Sequence, residues 1–300
     1  MNIRKLSLGL VMVLALCAGS IRAADYTTRE LKRDLALGGS HYVATDKATP
    51  IRIKCVNATT HPSATIQVDG SGNLIFTTNG STADTTVYST GTILVADAAA
   101  NTWGKVAAII NASSNWKCIL VDVCPSWTST AMLTTAAKSS AGAAIAADGI
   151  AFTATTASLK RACACMGVEW QTVAEHPVTG NILRNQRCHP IESTQPIMQN
   201  ELDYVRANAT FTSGTTTLNV YAVVDDTSGA AEILLWSQVG AASTADSTID
   251  LTGLWDYDTG LPMAIVAPNG YRIVVSYTSS ASNATFSAAS VQVHGLTWTP

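Results

Sequence analysis

A chain of 300 residues is long enough for two ordinary domains, each with its own core. Hydrophobic residues make up 47% and charged residues only 13%, about half the usual share, with Ala, Ser and Thr filling the gap. The net charge of -3 offers no basic stripe to follow a phosphate backbone, which argues against nucleic acid and favours a β-rich exported or assembly protein over a cytosolic enzyme.

The chain begins "MNIRKLSLGLVMVLALCAGSIRAADY". Arg4 and Lys5 form a positive start, and Leu6 to Ala18 form an apolar stretch too short for a stable membrane anchor. Ile21-Arg22-Ala23 supplies a small-residue cleavage site, so residues 1–23 read as a secretory signal peptide. A lipoprotein signal ending at Cys17 is a variant of this reading, disfavoured by the bulky Leu16 before it. Without Cys17, six of the 7 cysteines remain: Cys55, Cys118, Cys124, Cys163, Cys165 and Cys188. An even number in an exported chain suggests disulfides.

Residues 24–133 read as an α+β domain. In "YTTRELKRDLAL", Thr27 or Thr28 can cap a short helix with Leu31 and Leu35 on one face. From Ile51 the period changes to two. "ATIQVDGSGNLIFTT" sets Ala64, Ile66 and Val68 on one face and turns at Asp69-Gly70-Ser71-Gly72, which predicts a β-hairpin. "TVYSTGTILVAD" adds strand material around a glycine. "NTWGKVAAIINASSNW" is the one convincing interior helix: Asn101 or Thr102 caps it, and Trp103, Val106, Ala107 and Ile110 share a face. The strand "WKCILVDVC" follows, with Ile119, Val121 and Val123 on one face.

The stretch "TWGKVAAIINAS", residues 102–113, resembles the T-x-x-x-L-x-x-A-I-N-A helix of bacteriophage virion and flagellar filament-type structural proteins. Trp103 and Gly104 depart from the usual Leu-acidic pair. The resemblance implies an assembly protein and carries no catalytic residue.

Residues 134–158, rich in Ala and Ser, read as a linker or loosely packed arm. Residues 159–190 read as a cysteine-containing β-hairpin turning about His176–Pro177, which sets Trp170 opposite Leu183 and Cys165 opposite Cys188. A Cys165–Cys188 bridge is the first choice, with Cys163–Cys188 after a slip of two. Cys118 and Cys124 would lie about 20 Å apart on an unbroken strand, too far to bridge unless it breaks near Asp122. A zinc site from Cys163, Cys165, Cys188 and His189 is weighed and not favoured, because adjacent strand residues point to opposite faces. A catalytic thiol lacks a base, since His176 sits at the hairpin tip. Buried, unreacted thiols are the remaining reading.

Residues 191–300 are strand after strand, from "TTLNVYAVVDD" through "AEILLWSQVG", "STIDLTG" and "GYRIVVSYTSS" to "FSAASVQVHGLTW". They predict an antiparallel β-sandwich, jelly-roll-like, as the C-terminal domain of a β-rich fold. Trp236, Trp255, Tyr257 and Trp298 are candidate ligand-stacking residues. No metal is favoured; loop carboxylates Asp225, Asp226, Asp256 and Asp258 offer a possible calcium site, with turn chemistry as the plainer account.

No nucleophile elbow, zinc-protease helix, phosphate loop or dinucleotide fingerprint is present. The expectation is a non-enzymatic structural subunit, exported or virion-associated: a phage head or tail decoration protein, or an extracellular appendage subunit. Its expected partners are copies of itself and other assembly subunits, with no nucleic acid and no membrane after signal removal. The alternative is a secreted carbohydrate-binding module recognising surface glycan, with or without calcium. A secreted hydrolase is the lesser alternative.

Overall fold

Alternation of apolar and polar residues recurs along the chain, and the computed structural model places about half of it, among the described residues, in strands that pair antiparallel. The structure describes residues 39–42, 47–57, 60–139, 150–166, 169–171, 182–184, 199–223, 232–242, 246–250, 265–268 and 271–298. The helix expected near residues 26–37 lies outside them. The fold is β-rich, as the sequence predicts, and the described residues all fall in the compact unit Gly38–Pro300.

Strand β1 (Gly39–Tyr42) belongs to one of the C-terminal sheets. β2 (Lys47–Cys55) is the centre of a three-stranded sheet, flanked by β7 (Trp116–Leu120) and β9 (Ile150–Thr155). A second sheet holds β3 (Thr65–Val68), β4 (Leu74–Thr78), β5 (Thr82–Ala83), β6 (Thr92–Ile93) and β8 (Thr135–Ser139), in the order β5-β4-β3-β8 with β6 also on β4. The β3–β4 hairpin forms where expected, with Val68 opposite Leu74 and Ala64, Ile66 and Val68 buried. The Asp69 carboxylate accepts from the Ser71 and Asn73 amides and shapes the turn.

Helix α1 (Trp103–Ala112) is capped by Thr102, whose hydroxyl accepts from the Lys105 amide at 3.3 Å. Its face of Trp103, Val106, Ala107 and Ile110 is buried, as the spacing predicts. Trp116 in β7 meets Phe76 in β4 edge to face at 5.2 Å, joining the two sheets.

The Ala- and Ser-rich stretch is built into this architecture at both ends. β8 pairs with β3, and β9 pairs with β2 and buries Phe152 and Ala154. Apolar residues at alternate positions of 150–154 satisfy a sheet face, a pattern that overall composition masks. Residues 140–149 lie outside the description. A short helix, α2 (Thr156–Leu159), follows β9 and leads into the C-terminal sheets.

Those sheets are two. One has the order β1-β19-β13-β16, with β17 also on β13; its further strands are β13 (Gln199–Phe211), β16 (Asp246–Asp250), β17 (Ile265–Val266) and β19 (Phe286–Trp298). The other has the order β10-β18-β14-β15, from β10 (Arg161–Met166), β14 (Thr215–Val223), β15 (Glu232–Ala242) and β18 (Arg272–Ser279). Leu218, Val220 and Ala222 of β14, with Val275 and Tyr277 of β18, share a core with Val205 and Ala207 of β13 and Val291 and Val293 of β19. The arrangement is compatible with the expected sandwich. Two of its strands, β1 and β10, come from before residue 191.

Candidate functional site

The cysteine-rich segment divides into two pieces. Its distal piece pairs β11 (Glu169–Gln171) with β12 (Ile182–Arg184), and Trp170 stands opposite Leu183 in the register read from the sequence. Its proximal piece, β10, pairs with β18, where Cys163 faces Ser276 and Cys165 faces Val274. Cys188, His189 and His176 lie outside the described residues, so the favoured bridge and the zinc set are not placed. No disulfide joins any two of the five described cysteines: Cys55, Cys118, Cys124, Cys163 and Cys165, all buried.

The outer face of the β10-β18-β14-β15 sheet is covered by the loop that follows β7. The strand ends at Leu120, before Asp122, and the chain then runs Val121 to Cys124 across the sheet. Val121 and Cys124 pack with Cys165, Val223 and Val274 in a small second core.

Two buried charged side chains hold this loop. Arg272, fully buried in β18, donates from Nη1 to the Val121 carbonyl at 2.9 Å and from Nη2 to the Val123 carbonyl at 3.0 Å. Asp122 accepts from the Thr49 amide at 2.7 Å and from the Cys165 amide at 3.1 Å. Further along, Glu232 accepts from the Ser126 amide and hydroxyl, both at 2.6 Å. Arg161 lies over the Trp127 ring at 3.9 Å, and Trp127 meets Tyr221 edge to face at 5.8 Å.

Burial pushes the Cys163 thiol well above its ordinary value, Asp122 pushes it further, and Arg161 only partly opposes this. Burial likewise raises Cys55. These thiols stay protonated at neutral pH, the opposite of what a nucleophile or a metal ligand needs. Among the described residues no group of three or more His, Cys, Asp or Glu is placed to hold a metal ion. Each polar group named in the junction is spent on a backbone partner or a ring neighbour, which makes it a brace between the N-terminal sheets and the outer face.

The aromatic candidates are not brought together among the described residues. Trp236 is half-buried in β15 and packs against the main core, Trp298 lies in β19, and Trp255 and Tyr257 fall outside the description. The carboxylates Asp225, Asp226, Asp256 and Asp258 also fall outside it. Trp127 has one face under Arg161 and an edge on Tyr221, which leaves no described stacking platform there.

The surface that sequence reasoning missed is β15. It closes its sheet at one edge, and no other described strand pairs with its outer side. Val239 is 67% exposed, Leu234 53% and Ile233 39%, so three of the six exposed large hydrophobic residues among the described ones sit on this strand. An exposed, long, apolar edge is a template for pairing with another chain. The signal was present in "ILLW", an apolar run with no charge, but such a run reads equally well as a buried strand.

No helix among the described residues is long and apolar enough to cross a membrane. Comparison with known protein families, characterised proteins and solved structures gives no match.

Proposed function

We propose that this chain is a non-enzymatic structural subunit of an exported or virion-associated assembly. The observation that carries the reading is the edge strand β15, where Ile233, Leu234 and Val239 are exposed while Leu235 and Trp236 pack against the core. Leaving the exposed parts of Val239 and Leu234 in solvent forgoes roughly 1 kcal/mol each of burial free energy, a standing incentive to associate. The braced junction supports the same reading. Its ionisable groups hold backbone in place, and its raised thiols are unsuited to nucleophilic chemistry. The resemblance of residues 102–113 to a virion- and filament-type helix agrees with it.

Size-exclusion chromatography with light scattering over a concentration series tests the proposal. The expected result is a defined oligomer whose mass exceeds one chain. A strict monomer at the highest attainable concentration overturns it.

A further inference from the structure

The small second core beneath the loop that follows β7 contains two of the five described cysteines, Cys124 and Cys165. We propose that these two are a disulfide-forming pair, which closes a covalent link between the loop and β10 when the chain meets a disulfide oxidant. No disulfide joins them in the structure, so the proposal concerns their oxidised form. It rests on the chain's own thiols and not on the assembly reading.

Three anchors set Cys124 over the Cys165 end of β10. The Asp122 carboxylate, two residues before Cys124, accepts from the Cys165 amide at 3.1 Å. Arg272 holds the carbonyls of Val121 and Val123, on either side of Asp122, and stands two residues from Val274, the register partner of Cys165. After Cys124, the Trp127 amide donates to the Cys124 carbonyl at 3.2 Å, and the Trp127 ring lies over Arg161 of β10 at 3.9 Å. The loop therefore runs along β10 from Cys165 toward Arg161, with Cys124 near its start. Both cysteines are buried, in one small core with Val223 and Val274. A bridge needs Cα atoms within about 7 Å, the length of two residues of extended chain.

The other described cysteines are placed less well. Cys163 belongs to the main core and not to the small one. Cys55 stands opposite Trp116 and Cys118 opposite Ile53, so the two face each other only diagonally across the β2–β7 ladder, about 7–8 Å apart. The chemistry is thiol–disulfide exchange with a small-molecule disulfide. The Cys165 thiolate attacks one sulfur of the oxidant and expels a thiolate, leaving a mixed disulfide. The Cys124 thiolate then attacks the Cys165 sulfur and expels the second thiolate. Two protein thiols are oxidised, one oxidant disulfide is reduced to two thiols, and the two cysteine protons pass to the released thiolates. Burial disfavours both attacking thiolates in the folded chain, so exchange belongs to folding, before the small core closes.

The test refolds the full chain from guanidinium in reduced and oxidised glutathione, alkylates it with iodoacetamide in guanidinium and digests it without reduction. Where refolding is incomplete, natively purified chain treated with the same mixture is mapped in the same way. Mass mapping is expected to find the Cys124 and Cys165 peptides joined, with Cys55 and Cys163 alkylated. The link ties positions 41 apart in the chain, so dithiothreitol should raise the unfolding equilibrium constant of the oxidised protein roughly a hundredfold. Cys124→Ala should remove that sensitivity. Cys165 joined to Cys188, Cys124 recovered as an alkylated thiol, or a dithiothreitol effect that persists in Cys124→Ala overturns the inference. Each readout is independent of oligomer mass, so the assembly reading stands or falls separately by light scattering.

Discussion

Arg272 reaches the carbonyl of Val123 at 3.0 Å from a strand that lies 149 residues further along the chain. Together with the bond to Val121, this fork fixes the loop across the outer face of the C-terminal sheet. Arg272→Met removes the charged donor and orphans two carbonyls in a water-excluded place. The expected loss is about 3 kcal/mol, measured by urea unfolding. Arg272→Lys should recover only part, because an ammonium cannot reproduce the planar fork. An unchanged urea midpoint for Arg272→Met would show that the clamp contributes nothing.

Asp84 plays a similar part in the N-terminal sheets. It accepts from Trp116 Nε1 at 2.7 Å, Asn115 Nδ2 at 2.9 Å and the Thr86 hydroxyl at 2.6 Å. Burial alone would raise its pKa, but these donors hold it below the ordinary carboxylate value. A lowered folded pKa gives stability that is present above the unfolded value, about 3.9, and lost as pH falls through the folded one. Asp84→Asn turns a donor toward donors and should cost about 2 kcal/mol at neutral pH. The gap between the two proteins should narrow below about pH 4. Chemical unfolding at several pH values measures it, and a gap that does not change with pH refutes the assignment.

Local features were legible because they need only neighbouring residues. Thr102 before an apolar 3.6-period run gives α1, and Leu218, Val220 and Ala222 at alternate positions give the buried face of β14. The Trp170–Leu183 register follows from folding the segment about its turn. Strand partners were not legible. Alternation encodes which face a residue takes, not which strand lies beside it, so the pairing of β10 with β18 and of β1 with β19 left no local mark. The role of Arg272 in "GYRIVV" left no local mark either, because the carbonyls it satisfies are remote in sequence. Leu234 and Val239 carry no local mark of exposure, because only the sheet order reveals that β15 is an edge.

Gly72 closes the β3–β4 turn at φ +81°, and a Cβ there would stand 2.6 Å from the backbone of Ala131. Gly72→Ala therefore meets both left-handed strain and a clash with backbone that cannot rotate away. A loss of at least about 2 kcal/mol is expected. Gly70, two positions earlier in the turn, has open space where a Cβ would stand, and Gly70→Ala should stay within about 0.5 kcal/mol of wild type. Thermal unfolding of the pair decides: similar melting temperatures would remove the steric argument.

Cys55 and Cys163 provide the sharpest check on the view that the junction braces rather than reacts. Both are buried, and burial raises both above the ordinary thiol value, Cys163 strongly. Reactivity follows the thiolate, and the thiolate is disfavoured wherever a charge would be taken from water into an apolar core. Iodoacetamide at about pH 8, near the ordinary thiol pKa, should therefore leave both residues unlabelled in the native protein and label both in guanidinium. Peptide mapping by mass spectrometry reads each site separately. Fast native labelling of Cys163 would mean that solvent and a thiolate coexist beside Arg161, and the junction would then have to be reconsidered as a reactive site.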